Sequence, residues 1–276
     1  MIVVTGAAGR LGRMVVQLLV DQGREVLATD QLDADDLPAE FVRCDLVDAE
    51  AVGDILKDAE AVIHMGAIPG PMRDPPRVIF DNNVASTFNV MMSAAELGLR
   101  RVVFSSSAFG MGWAHDGNAF VPLYLPLDEE HPMMPFEPYG LSKQVGEDIG
   151  RMIARNSDTT VVNLRFTNVA LPEVIAEFPW PAPTPEDPLT LVMWAYAEAS
   201  GVAEAHVLAL DAEIEEYEAF MLAQPSSRFA EPTVDLARSN FGDRVEIREG
   251  LEGTASVIST EKAQRLLGWR PRFDWR

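Results

Sequence analysis

The sequence predicts an α/β fold with a doubly wound parallel sheet. Three observations carry that expectation. The chain opens "MIVVTGAAGRLG", a β-branched run set against three glycines. Short apolar runs then alternate with helical patterns as far as Arg165. Beyond that point the pattern loosens into the proline-rich "FPWPAPTPEDP". Strands alternating with helices imply a parallel sheet covered on both faces, with ligands beyond the C-terminal ends of the strands.

Taken in order, Ile2, Val3 and Val4 have the stiff side chains of a buried strand, and Gly6, Gly9 and Gly12 permit a sharp turn or the close approach of another molecule. Met14, Val15, Leu18 and Leu19 recur at helical spacing, so the opening reads strand, glycine turn, helix. Val26–Ala28 is a second strand ending at Asp30, Phe41 and Val42 a third, and Ala61–His64 a fourth after a helix near 51–56. Residues 84–97 read as a helix, "RRVVFSSS" as a strand, "YGLSKQVGEDIGRMIA" as a long helix and "TTVVNLRF" as the strand after it. The proline-rich stretch reads as an extended loop or lid. A helix around 189–210, a strand at Tyr217–Leu222, a helix near 232–240 and a strand at "RVEIREG" then suffice for a small C-terminal α/β lobe. The expected division is 1–168 for the nucleotide-binding domain and 169–276 for the lobe, with the chain able to cross back to the sheet.

The 276 residues can bury a substantial core, and no apolar run is long enough to span a membrane. The first apolar run is too short for a signal peptide, so a cytoplasmic protein is expected. Cys44 is the only cysteine, which leaves no internal disulfide or cysteine-rich zinc site, and no metal site is expected. Forty-three acidic residues against 22 basic ones give a formal charge of −21, which repels nucleic acid and anionic membrane surfaces. Only Lys57, Lys143 and Lys262 are lysines. Such a surface suits a salty cytoplasm, and a genome favouring arginine codons gives the same bias.

The helix that starts in the glycine turn presents free N–H groups and the positive end of its dipole, which suit a pyrophosphate. Asp30 stands eighteen positions after Gly12, where a carboxylate accepts ribose hydroxyls and repels a 2′-phosphate. NAD is therefore expected over NADP, with Arg10 and Arg43 as the cations that would favour a phosphate. In "EPYGLSKQVGED", Tyr139 and Lys143 are four apart and share a helix face. An ammonium beside a phenol stabilises the phenolate, so the pair makes a general base for a hydroxyl. One of Ser105, Ser106 and Ser107 can hold the substrate oxygen, and spacing does not separate the three.

These motifs together resemble the extended short-chain dehydrogenases/reductases of the NAD-dependent epimerase/dehydratase type, members of which have a Rossmann-type sheet. "TGAAGRLG" is similar to their T-G-x-x-G-x-x-G turn, "CDLVD" to D-L-x-D, "HMGA" to H-x-A-A, and "NNVASTFNV" to N-V-x-G-T-x-N-L with Ser86 in place of glycine. "FSSSAFGMG", "YGLSK", "LRFTN" and "KAQRLLGWRP" complete the resemblance over nearly the whole chain. It implies Ser107, Tyr139 and Lys143 as the catalytic group. For NAD it implies the turn residues Gly6, Gly9, Arg10, Leu11 and Gly12, then Asp30, Asp45, Leu46, Ala67, Asn83 and Ser105, with Tyr139 and Lys143 again in contact. Asn168 would lie near the substrate, and Arg228 either meets a substrate phosphate or carboxylate or is a surface arginine. His64 is read as structural.

Ala108 and Phe109 stand where dehydratases carry two carboxylates, which disfavours dehydration. Ser200 and Gly201 replace an Arg-Asp pair of the family pattern, and the lobe is short for gripping a nucleoside diphosphate sugar. The resemblance implies an NAD-dependent oxidoreductase or isomerase acting on a secondary hydroxyl of a sugar, first a UDP-glucose-type 4-epimerase. The alternatives are a dehydrogenase of a free aldose or uronic acid and, from another class, a non-catalytic NAD-binding regulator. A homodimer is expected, packed through the helices near 84–97 and 140–155, with Val90, Met91, Met92, Ile149, Met152 and Ile153 as candidate contacts.

Overall fold

Alternation along the first strand sets the layers. Ile2 and Val4 of β1 (Ile2–Thr5) join one apolar core and Val3 the opposite one, because successive strand residues point to opposite faces. A computed structural model describes residues 1–112, 120–187, 189–271 and 273–275. After β1 come α1 (Arg10–Asp21), β2 (Val26–Asp30), β3 (Glu40–Arg43), α2 (Ala49–Leu56), β4 (Ala61–His64) and α3 (Pro76–Glu96). Then follow β5 (Arg101–Ser107), β6 (Tyr124–Leu125), α4 (Pro138–Asn156), β7 (Thr160–Phe166), β8 (Val169–Ala170) and α5 (Pro172–Ile175). The remaining elements are β9 (Ala197–Glu198), α6 (Ala199–Asp211), β10 (Tyr217–Leu222), α7 (Thr233–Phe241), β11 (Glu246–Ile247) and α8 (Glu261–Leu266).

The central sheet has seven parallel strands in the order β10-β7-β5-β4-β1-β2-β3. Chain direction across the sheet reverses between β1 and β4, and this switch point opens a crevice at the C-terminal ends of those strands. One face is covered by α1 and α6 through Val15, Val16, Leu19, Ala203, Val207 and Leu210. On the other, α2, α3 and α4 supply Val52, Leu56, Val90, Met91, Ala94 and Ile153. Among the described residues, no helix is long and apolar enough to cross a membrane.

Several expected elements differ in the structure. The helix expected over 84–97 begins at Pro76, since proline fits the first turn of a helix, where its missing N–H is not needed. The helix expected around 189–210 starts only at Ala199, where the Glu198 side chain accepts from the amides of Ser200 and Gly201. Residues Leu191–Met193 form a 3-10 turn instead. Tyr217–Leu222, expected in the small lobe, is the edge strand of the main sheet and pairs with β7. Residues after 168 thus return to the main body as α6, β10 and α8; Ala263 of α8 and Trp269 just beyond it join the same core as α1. The lobe proper is the pairs β6/β11 and β8/β9 with α7, around Leu125, Trp194, Phe229 and Phe241. Val90, Met91 and Ile153, expected at a dimer contact, lie inside the chain's own core at 0%, 0% and 3% exposure.

Much of the acidic charge stays outside this core: Asp33, Asp35, Asp36, Glu213, Glu215 and Glu216 are all exposed. Self-repulsion among them destabilises the compact state and is relieved by salt. Raising KCl from about 0.1 M to about 1 M shortens the screening length from about 10 Å to about 3 Å. The thermal unfolding midpoint is expected to rise over that range, and a midpoint that is flat or falling in calorimetry contradicts this view of the surface.

Candidate active site

The glycine turn after β1 is shaped by backbone contact. A Cβ at Gly12 would collide with the carbonyl oxygen of Gly6, and Gly6 itself has φ +70°, with Met65 backbone where its Cβ would go. Helix α1 therefore starts tight against the end of β1. Gly9 caps it with no side-chain hydrogen bond, which leaves the first-turn amides open to an anion. Asp30, at the end of β2, accepts from the amide of Ala8 at 3.1 Å and from that of Leu32 at 3.0 Å. Its carboxylate is thereby held at the lip of a cleft lined by Gly6, Asp30, Asp45, Leu46, Ala67 and their neighbours. Each carboxylate oxygen keeps lone-pair capacity for a hydroxyl donor. The open amides, the close backbone approach and this carboxylate fit a dinucleotide without a 2′-phosphate.

His64 and Thr5 hold the floor of the crevice. The Thr5 hydroxyl accepts from the amides of Met65 and Gly66, both at 3.1 Å, so its own hydrogen goes to His64 Nδ1 at 2.9 Å. Nε2 then carries the ring proton and donates to Thr87 at 3.1 Å. Burial lowers the His64 pKa to about 3, and the ring is a neutral strut.

The three serines at the end of β5 are separated by their partners. Ser105 bonds His206 Nε2 at 2.7 Å on the α6 side, and Ser106 donates to Glu147 at 2.6 Å on the α4 side. Ser107 accepts from the amide of Phe109 at 3.2 Å, and its hydrogen bond to Tyr139 favours the phenolate. Only Ser107 meets the phenol. Lys143 lies below, donating to the Ser105 carbonyl at 2.8 Å, with Nζ 5.6 Å from the centroid of the Tyr139 ring. Ser105 thus enters the site by its carbonyl, while its hydroxyl is taken by His206.

The lowering of the phenol pKa expected from Lys143 together with an oxidised nicotinamide is opposed by burial. Burial pushes Tyr139 up to about 12; the Ser107 bond pulls it down and the Glu137 charge raises it. Lys143 is itself lowered to about 8 by burial.

Asn83 spends its side chain on the protein: it accepts from the Ile68 amide at 2.8 Å and donates to the Ile68 carbonyl at 3.2 Å and to Ser142 at 3.3 Å. It ties the loop after β4 to α4, next to the cleft rather than in its lining. Arg10 is exposed at the first turn of α1, beside Leu11. Asn168 donates to Thr167 and to the Val192 carbonyl, both at 3.0 Å. Arg228 is no surface arginine. It is 3% exposed, lies over the rings of Trp180 and Phe178, and donates from Nη2 to the Ala195 carbonyl at 2.7 Å. Its Nε has no partner among the described residues, and burial lowers its pKa to about 10. The sequence reading missed Glu137, which caps α4, and the pair Glu147 and Arg165. The glutamate directly before "PYG" was the available signal for the first; nothing local marks the second.

A doubly wound sheet with a switch-point crevice, and a hydroxyl, a phenol and an ammonium beside it, defines an enzyme of the short-chain dehydrogenase/reductase class. The chain belongs to the NAD dependent epimerase/dehydratase family, whose pattern matches residues 2–180, and it is an NAD-dependent enzyme. It is 29% identical to a UDP-glucose 4-epimerase of Streptococcus mutans across 99% of this chain and 92% of that one. It is 35% identical to a putative UDP-glucose 4-epimerase of Methanocaldococcus jannaschii over 177 residues, which are 61% of this chain and 56% of the relative. In fold it resembles a short-chain dehydrogenase/reductase superfamily protein of Agrobacterium tumefaciens solved with bound NAD. The TM-score is 0.76 at 24% identity, covering 100% of this chain and 93% of that one.

The lowered pKa of Lys143 has a consequence for stability. The folded value of about 8 lies below the 10.5 of an unperturbed lysine, so below about pH 8 the folded protein carries a desolvated cation. That cost fades as pH rises from about 8 towards 10.5. Lys143→Met is expected to raise the unfolding midpoint of the cofactor-free protein at neutral pH, with the gain shrinking over that window. A variant less stable than wild type at neutral pH contradicts the assignment.

Proposed function

We propose that the protein is a sugar-nucleotide epimerase of the UDP-glucose type, working on a secondary hydroxyl of the sugar. The observation that carries this reading is the meeting of Ser107 and Tyr139 over Lys143, at the end of the strand next to the switch-point crevice. The epimerase relative that aligns along almost the whole chain supports it.

In this reading Gly6, Gly9, Arg10, Leu11, Gly12, Asp30, Asp45, Leu46 and Ala67 hold the dinucleotide, and Asn83 braces the loop under it. When bound, NAD supplies the hydride acceptor and a cationic ring. Tyr139 takes the proton of the substrate hydroxyl onto its phenolate oxygen and later returns it. Ser107 donates to the same substrate oxygen and fixes its distance from the phenol. Lys143 keeps positive charge under the phenolate, in a pocket where burial excludes competing water. Asn168 and Arg228 are both tied to the segment 192–195, and Arg228 offers its buried charge to an anionic group of the substrate.

A second reading, a net dehydrogenase of a free aldose or uronic acid, is favoured by one feature. At the start of α6, where the family pattern has Arg-Asp, Ser200 and Gly201 instead donate to Glu198. That segment brings no cation to a diphosphate, which leaves Arg228 to do so.

Cofactor use separates the two. With UDP-glucose and catalytic NAD, epimer is expected to accumulate while bulk cofactor stays oxidised. Tyr139→Phe is expected to slow turnover by about a hundredfold to ten-thousandfold with NAD affinity retained. Stoichiometric NADH from a free aldose or uronate, with no epimer formed from the sugar nucleotide, replaces the first reading with the second.

The reading includes a homodimer. Phe88 on α3 and Leu141 and Met152 on α4 are apolar yet 44%, 41% and 36% exposed, and the half-buried Met92 and Ile149 lie on the same two helices. Two such helix pairs can pack as a four-helix bundle. Phe88→Asp is expected to convert a sedimenting dimer to monomer with NAD binding intact; a wild type that is monomeric at every protein and salt concentration removes the dimer.

A further inference from the structure

The first turn of α4 is closed by an anion that the chemistry above does not use. Pro138 has no N–H, so the next orphan donors of the helix are the amides of Tyr139 and Gly140. Glu137 takes both, at 2.6 Å through Oε2 and 2.5 Å through Oε1. A serine or aspartate is the usual cap and would satisfy such donors with a shorter side chain. The same glutamate device closes α6, where Glu198 holds the amides of Ser200 and Gly201 rather than that of a candidate base.

Packing confines the Glu137 carboxylate. A Cβ at Gly140 would lie 2.8 Å from Glu137 Oε1 and 2.7 Å from the Phe109 carbonyl oxygen, so only glycine leaves room for the carboxylate there. Burial raises the pKa of Glu137 above the usual carboxylate value, and its two amide bonds offset only part of that rise. None of the ion pairs among the described residues includes it.

The groups around Tyr139 come from three elements. The strand β5 brings the Ser107 hydroxyl; the 3-10 turn Ala108–Met111 brings the Phe109 ring, edge-on at 6.0 Å; and α4 brings Lys143 and Glu137. Glu137 is the one anion of this set. A negative charge beside a phenol opposes loss of its proton.

We propose that Glu137 is a positioning residue for the proton transfer: it anchors Tyr139 through the first-turn amides, and its charge adds to burial in opposing loss of the phenol proton. The device suits a reaction in which one tyrosine is base in one direction and acid in the other. Burial is the larger force that holds this proton, and the glutamate adds to it. The inference rests on Tyr139 as the proton-transfer group of the proposed function.

The test needs NAD alone and no sugar. Phenolate absorbance of the NAD-saturated protein is followed against pH, and the curve of NAD-saturated Tyr139→Phe is subtracted. Glu137→Gln, and Glu137→Ser with a conventional cap, are expected to shift the Tyr139 midpoint down by about one pH unit. Glu137→Asp, which restores the charge, is expected to return it towards wild type, with unfolding midpoints confirming that each variant is folded. Curves that coincide with wild type, or an Asp variant displaced as far as the Gln variant, overturn the proposal. A Tyr139→Phe curve that matches wild type is a different failure, since it removes Tyr139 itself from the proton transfer.

Discussion

The buried pair of Glu147 and Arg165 is the contact on which the site depends. Arg165, on β7, donates to both oxygens of Glu147 from Nε and Nη2 at 2.8 and 2.7 Å. The carboxylate also accepts from Ser106 on β5 at 2.6 Å and from Tyr217 on β10 at 3.1 Å. Glu147 is one turn beyond Lys143, so this one group joins α4 to three neighbouring strands and sets how deep the face carrying Tyr139 and Lys143 sits. Burial alone would raise the proton affinity of Glu147, and its bonds and charge partners outweigh that, holding it below the usual carboxylate range. Such a pair adds little net stability over apolar packing, but loss of either member leaves an uncompensated buried charge at a cost of about 3–5 kcal/mol. Its contribution here is geometric.

Given that anchor, the β5 serines divide the labour by strand alternation. Ser105 and Ser106 turn to opposite faces and tie the strand to α6 and α4, leaving Ser107 at the edge where the sheet ends. The same geometry puts the Ser105 carbonyl over Lys143. A seven-residue strand buried throughout thus delivers one hydroxyl to the crevice while its other polar groups hold the walls in place.

Charge is distributed against the overall balance. The surface is strongly acidic, yet Arg101, Lys143, Arg165 and Arg228 are all buried. Arg101 closes the C-terminal end of α6 by donating to the carbonyls of Ala209 and Ala212, where the helix dipole favours a cation. Among the described residues, Lys143 donates to a carbonyl and lies over the Phe104 ring, and Arg228 donates to a carbonyl and lies over the Trp180 ring.

Much of this was legible in the sequence, because it depends on local spacing. The strand, glycine turn and helix at the start, Asp30 at the end of the second strand, and Tyr139 and Lys143 on one helix face all follow from residues within a few turns of each other. The choice among the three serines was not legible from spacing, since it turns on which hydroxyls α4 and α6 consume. Tyr217–Leu222 read as a plain strand, and only tertiary packing made it the edge of the main sheet, because the apolar faces of α6 and α8 had to be buried against the core under α1. Val90, Met91 and Ile153 have the same apolar character as Phe88 and Met152, and only the docking of α3 and α4 on the sheet decided which were buried. The proton affinities of Tyr139 and Lys143 were beyond sequence for the same reason. Spacing brings an ammonium near a phenol, but the burial that shifts both groups is a property of the folded surroundings.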